Sequence, residues 1–248
     1  MKIGLYDMAI EVTRRCNMHC AHCLRGDAQN MNITRNIIED ALRDVEWIDA
    51  LTLTGGEPSL NVLGMLNVLD VCKQNKIQVG SFYVVTNGKD ISDDFLVAMI
   101  KWYAYCAECS NFEREMCGLA LSEDMFHDDI SDESIAKLQA FSFFREEDKK
   151  TDWDITSLIN EGRAVELGDF ERREINYDFN FPVDVYHGDD GEDEIIVNND
   201  SIVYLSANGD IKTNCDIAYD NNDLTIGNVC TESLGTILLR RAAEDEND

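Results

Sequence analysis

The chain is poor in the features that mark linkers, membranes and export. Proline is scarce, at 2 of 248 residues, and there is no low-complexity tract. No apolar run reaches the roughly 18 residues that a membrane span requires. The opening Met1-Lys2-Ile3-Gly4-Leu5-Tyr6-Asp7 contains no secretory h-region, so the expectation is a cytoplasmic protein without a membrane partner. Basic residues are also few: 21 Lys+Arg stand against 49 Asp+Glu, a formal net charge of −28. A field of that sign repels phosphate backbones and excludes long nucleic acid as a natural partner. It fits a solubilising acidic surface, or a basic peptide or cationic protein partner.

What is present is first a βα rhythm. Ala9-Ile10-Glu11-Val12-Thr13 reads as a short strand, and Thr34 caps a helix carrying Ile37, Ile38, Ala41, Leu42, Val45 and Ile48 at helical spacing. Leu51 to Thr54 is a second strand, ending at Gly55-Gly56. Leu60, Leu63, Leu66, Leu69 and Cys72 mark the next helix, and Phe82 to Thr86 a third strand before the turn Asn87-Gly88. Ser92 caps a helix with Phe95, Leu96, Met99, Ile100 and Tyr103. A strand over 118–122, a short helix capped by Ser131 and an apolar strand over 141–144 follow. Strands separated by such helices predict a parallel sheet with right-handed crossovers, an α/β fold of the fully or partly closed (β/α)6-barrel type. From about residue 195 the texture changes to short β-like runs, an Asn208-Gly209 turn and a last helix from about Ser233 to Arg241. The expected division is a barrel over 1–188 and a small β-rich extension over 189–248. The acidic run 189–194 reads as a solvated loop and the terminal 244–248 as disordered.

Sites in parallel α/β sheets lie at the C-terminal ends of the strands. The chemistry-bearing segments of this chain fall there. Nine cysteines in a chain with no export signal argue for metal or cluster binding over a disulfide framework. Cys16-x-x-x-Cys20-x-x-Cys23 follows the first strand and supplies three thiolates within eight residues, the ligand type that holds cubane iron–sulfur clusters. Three ligands leave one iron of four open to a chelating substrate. A zinc site is the competing reading, with His19 or His22 as the fourth ligand.

The cysteine spacing resembles the signature of the radical S-adenosylmethionine (radical SAM) superfamily, and Gly55-Gly56-Glu57-Pro58 resembles its second motif at the expected strand end. The resemblance implies a [4Fe-4S] cluster on Cys16, Cys20 and Cys23, S-adenosylmethionine chelated by the open iron, and a 5′-deoxyadenosyl radical made with one electron from a donor such as flavodoxin or ferredoxin. It implies that Gly55, Gly56, Glu57 and Pro58 meet the cofactor's amino group, and that Asn87 lines its pocket, although Asn-Gly is also a common turn. Ser122 and Asp124 match a segment that reaches the ribose or the methionine carboxylate. His22 stands where the family usually has an aromatic residue, and its flat ring suits packing near adenine. Glu161-Gly162-Arg163-Ala164 resembles a segment of peptide-modifying relatives, with Arg163 placed to pair with the carboxylate. His127 and Asp128 either face substrate or are merely solvated.

Cys72 occupies a core position of its helix. Cys106-x-x-Cys109 and Cys117 permit a second metal site with Cys215 or Cys230, but do not form a complete ligand set. The tail over 208–230 resembles a shortened version of the extension of peptide-maturing (SPASM-type) radical SAM members. It leads to the expectation of radical modification of a peptide or protein side chain. The alternatives are a small metabolite or nucleotide as substrate, or a cluster-binding electron carrier without turnover.

Overall fold

A computed structural model describes residues 1–145, 157–175, 181–188 and 192–245. Residues 189–191 of the acidic run and the terminal 246–248 lie outside the described residues. The strands are β1 (Lys2–Thr13), β2 (Val45–Gly55), β3 (Gln78–Thr86), β4 (Gly118–Leu121), β5 (Ser157–Ile159), β6 (Glu171–Arg173), β7 (Val183–His187), β8 (Asp193–Leu205), β9 (Asp210–Lys212) and β10 (Thr225–Asn228). The helices are α1 (Arg35–Ala41), α2 (Val62–Asn75), α3 (Asp93–Glu108), α4 (Asp132–Gln139) and α5 (Leu234–Asp245).

Strand β1 is the centre of an eight-stranded sheet ordered β10-β9-β8-β1-β2-β3-β4, with β7 paired to β8. β8, β1, β2, β3 and β4 run parallel, β7 and β9 pair antiparallel with β8, and β10 pairs antiparallel with β9. The result is a mostly parallel partial barrel with additional C-terminal strands, as the periodicity predicts. Met8 to Thr13 are buried without alternation, as befits a strand covered on both faces. β8 starts at Asp193, beyond the expected division at 188/189, and hydrogen-bonds to β1 from Lys2↔Glu194 to Ile10↔Leu205.

The predicted caps Thr34, Ser92 and Ser131 are in place, and Ser233, expected near the start of the last helix, caps it as well. Thr34, Ser92, Ser131 and Ser233 each accept from the backbone N–H three residues on. The expected extent of the first helix is corrected: α1 stops at Ala41, and Val45 and Ile48 belong to β2, in register with Ile3 and Leu5 of β1. Val, Trp and Ile over 45–48 favour a pleated surface, and pairing with the central strand overrides their helical spacing. In α2 the buried stripe is Met65, Val68, Leu69 and Cys72, while Leu63 is 69% exposed. The apolar run 141–144 is a turn with a single parallel bridge, Leu119↔Phe144. Its Phe143 ring packs 4.9 Å from Tyr103 and 5.5 Å from Phe82. No described helix is long and apolar enough to cross a membrane.

Candidate cofactor site

The C-terminal ends of β1, β2, β3 and β4 bring the predicted segments to one edge of the sheet. Cys16, Cys20 and Cys23, on the loop after β1, line one pocket with Met18, Arg25, Gly55, Gly56, Arg163 and Tyr219. All three thiols are half-buried and free. Burial first, then the nearness of Cys16 and Cys23, pushes the Cys20 thiol up to about 12; burial likewise raises Cys16. Crowded, partly desolvated thiols give up their protons to a metal far more readily than to water.

Among the described residues, the one set of His, Cys, Asp or Glu ligand atoms that all lie within 4.8 Å of one another is His22, Asp124 and His127. The three cysteine Sγ atoms line one pocket without all lying within that distance of one another. His19 is exposed, and His22 turns its Nε2 to Asp124 at 3.2 Å.

The glycine pair is held hard against the root of the cysteine loop. Gly56 N donates to Thr13 O and Glu57 N to Arg15 O, both at 2.8 Å, extending the β1–β2 pairing past the strands. A Cβ on Gly55 would stand 2.1 Å from Thr13 O and one on Gly56 2.4 Å from Arg15 O, so no larger residue fits. Glu57 is 1% exposed. Its carboxylate accepts from Ser59 N (3.0 Å), Thr86 Oγ1 (2.8 Å) and Asn87 N (2.7 Å), joining the end of β2 to that of β3. Burial pushes its carboxyl above the usual range even though these donors pull the other way. Pro58, buried, opens a 3-10 turn over 58–61. Asn87 Nδ2 donates to Asn17 Oδ1 at 2.9 Å and reaches Cys16 Sγ at 3.8 Å, so it sits against the cysteine loop.

Two further segments clamp the same loop. Arg163 donates through Nε and Nη2 to Cys20 O (3.0 and 2.9 Å) and through Nη1 to Gly26 O (2.7 Å), and Arg163 N donates to Cys23 O at 2.9 Å. Gly162, at φ +55°, passes so close that a Cβ would lie 2.4–2.6 Å from Leu24 O, Gly26 N and Cys23 O. On the other side, Arg25 Nη1 donates to Ile217 O at 3.0 Å and stacks over Tyr204, and Tyr219 N donates to Arg25 O. Glu161 accepts from Ala218 N and Asn221 Nδ2, tying the two clamps together.

Asp124, after β4, lies between two imidazoles: 3.2 Å from His22 Nε2 and 2.8 Å from His127 Nδ1. Burial alone would raise its carboxyl, but the contacts with His127 and His22 and the Phe126 N–H prevail and hold it well below the ordinary carboxylate range. Ser122 Oγ lies 3.4 Å from His127 Nε2. His22 stacks on Phe126 at 4.6 Å. Asp128 is exposed and pairs with Lys89.

Sequence reasoning passed over Glu11, 1% exposed, which accepts from Arg14 Nε (2.6 Å), Tyr204 OH (2.5 Å) and Ala207 N (3.0 Å) and so fastens the end of β1 to the C-terminal half. A lone carboxylate inside an apolar strand was the available signal. Asn17, Arg25, Thr86 and Tyr219 were also missed, because nothing local marks them, and Glu161 was named only as part of the Arg163 segment. The remaining thiols do not gather at the pocket. Cys72, Cys106, Cys109 and Cys117 are buried in the core, where Cys106 and Cys117 hydrogen-bond to each other, while Cys230 is exposed beside Gly209.

Residues 9–96 match the family described as a 4Fe-4S single cluster domain. An uncharacterised protein of Methanocaldococcus jannaschii is 24% identical over 101 residues, a stretch covering 40% of this chain and only 35% of that relative. The solved structure of native anSMEcpe with bound AdoMet and Cp18Cys peptide superposes with a TM-score of 0.53 at 12% identity, over 98% of this chain and 82% of that one. Streptococcus suis SuiB bound to precursor peptide SuiA aligns more loosely, with a TM-score of 0.34 at 14% identity, over 83% of this chain and 58% of that one. The 4Fe-4S match falls on the segment that carries both motifs, and the fold match spans nearly the whole chain.

Proposed function

We propose that the chain is a radical SAM enzyme whose Cys16, Cys20 and Cys23 hold one [4Fe-4S] cluster, and that it cleaves S-adenosylmethionine reductively. The convergence of these thiols with the Gly55-Gly56 turn on one pocket carries the reading. The donor set fits the cluster. When bound, such a cluster supplies one electron and an open iron that chelates S-adenosylmethionine, the source of a 5′-deoxyadenosyl radical.

The chain's own residues hold that chemistry in place. Gly55 and Gly56 bring bare backbone to the pocket wall, where an amino group can approach. Glu57, with both oxygens engaged inside the protein, acts through that wall by fixing the turn to β3. Asn87 steadies the loop beside Cys16. Arg163 and Tyr219 close the flanks and limit the access of water, which a reactive radical demands. Ser122, Asp124 and His22 stand at the next strand end as candidate contacts for the rest of the cofactor.

For the substrate we favour a peptide or protein side chain. The support is the tail over 208–230, the fold shared with a protein solved with a bound peptide, and the net charge of −28, which would attract a basic partner. A small metabolite or nucleotide is the second reading. Nine free thiols suit a reducing cytoplasm, with a flavodoxin or ferredoxin as electron donor. The test is chromatography of S-adenosylmethionine incubated with the reconstituted, reduced protein. 5′-Deoxyadenosine is the expected product, and its absence with a fully loaded, reduced cluster favours an electron carrier. Mass spectrometry of co-expressed neighbouring gene products then tests the substrate class.

A further inference from the structure

We infer that His22, Asp124 and His127 form a second metal site, for a single divalent transition ion held by nitrogen and oxygen ligands. His22 directly precedes Cys23, so this site borders the cysteine loop. An ion there would be a rival occupant for the cofactor contacts assigned above to His22 and Asp124, and the proposal does not rest on the radical SAM reading. One potential ligand atom from each residue lies within 4.8 Å of the other two, the compactness of a one-ion site. Two imidazoles and one carboxylate suit zinc or ferrous iron, and three protein ligands leave positions open for water or a small anionic ligand.

The fine geometry favours a shared ion over simple pairing. His127 Nδ1 is 2.8 Å from Asp124 Oδ1, yet it is buried and makes no aligned hydrogen bond. A buried ring nitrogen without an aligned hydrogen bond is unfavourable, and coordination would relieve that. The other nitrogen of the same ring has the partner a ligating histidine needs: Ser122 Oγ lies 3.4 Å from Nε2, where it can set the tautomer that frees Nδ1.

The site is built and reachable. The Asp124 and His127 side chains are 6% and 9% exposed, whereas His22 is 21% exposed and gives the ion an entrance. Stacking on Phe126 and the edge contact between His22 and His127, with centroids 5.4 Å apart, hold both rings in place.

Zn²⁺ is the probe. The anaerobically reconstituted protein, without S-adenosylmethionine, is incubated with Zn²⁺ and gel-filtered, and its zinc and iron are counted. The expected result is about one zinc per chain with iron unchanged, and zinc X-ray absorption showing imidazole and oxygen neighbours at about 2.0–2.2 Å without sulfur at about 2.3 Å. Asp124→Asn and His127→Ala should each lose the zinc and keep the iron, and Ser122→Ala should weaken zinc binding about tenfold. No stoichiometric zinc, sulfur in the zinc shell, iron displaced by zinc, or zinc retained in both ligand variants would each overturn the site. The wild-type absorption spectrum decides the matter even if a variant fails to fold.

Discussion

Arg163→Ala tests whether the clamp on the cysteine loop is what keeps it ordered. The guanidinium gives charged donors to two loop carbonyls, Cys20 O and Gly26 O, at 2.7–3.0 Å, with its side chain 16% exposed. A hydrogen bond with a charged partner contributes about 1.5–3 kcal/mol. Asp27, 81% exposed, adds little. Water reaching a pocket-lining site recovers part of the loss, so the net cost of opening the loop falls by about 2–4 kcal/mol. At 1.4 kcal/mol per tenfold, iron should leave the reconstituted variant roughly 30 to 700 times faster than wild type. The assay is release of iron to a colorimetric chelator under anaerobic conditions, with global unfolding followed by circular dichroism. Arg163→Lys, whose single ammonium cannot span both carbonyls, should fall between the two. Iron release within twofold of wild type in Arg163→Ala would refute the clamp.

Changing Cys16, Cys20 and Cys23 together to Ala should reduce the iron of the reconstituted protein from about four per chain to background, by iron and sulfide analysis; a retained brown absorbance would remove the cluster assignment. Ser in place of Cys106, Cys109, Cys117, Cys215 or Cys230 should leave that count unchanged, whereas a wild-type count near eight would mean a second cluster. Glu57→Ala leaves three donors without their acceptor and should cost about 2–5 kcal/mol in urea unfolding; a midpoint equal to wild type would contradict the bridge. Because the folded Glu57 carboxyl lies above its ordinary value of 4.5, its contribution to stability is complete below that pH and is lost as pH rises through the raised folded value. Glu57→Gln should flatten that part of the stability profile measured against wild type, and an unchanged slope would count against it.

Local chemistry made much of the molecule legible. The caps Thr34, Ser92, Ser131 and Ser233 are short-range signals, because a hydroxyl and an amide three residues on need no partner from elsewhere. The cysteine spacing and the Gly-Gly-Glu-Pro turn were equally readable, since strand ends in a parallel sheet predict where such motifs meet. Val45 and Ile48 were misread as helical because their spacing suits either structure, and only pairing with β1 decides between them. Arg163 shows the same boundary at the site. Its presence and rarity were visible in the sequence, but its partners are carbonyls more than 130 residues away.

Sequence alone thus determined the kind of chemistry, three thiols and a glycine turn at the ends of successive parallel strands, because ligand type and local spacing are properties of short segments. Tertiary structure decided which other groups serve that chemistry. It brought β8 beside β1, buried Glu57 as a bridge between strand ends, turned Arg163 and Tyr219 onto the cysteine loop and set Asp124 between His22 and His127. Those outcomes depend on the closing of long loops and the pairing of distant strands, whose energies no local pattern of residues records.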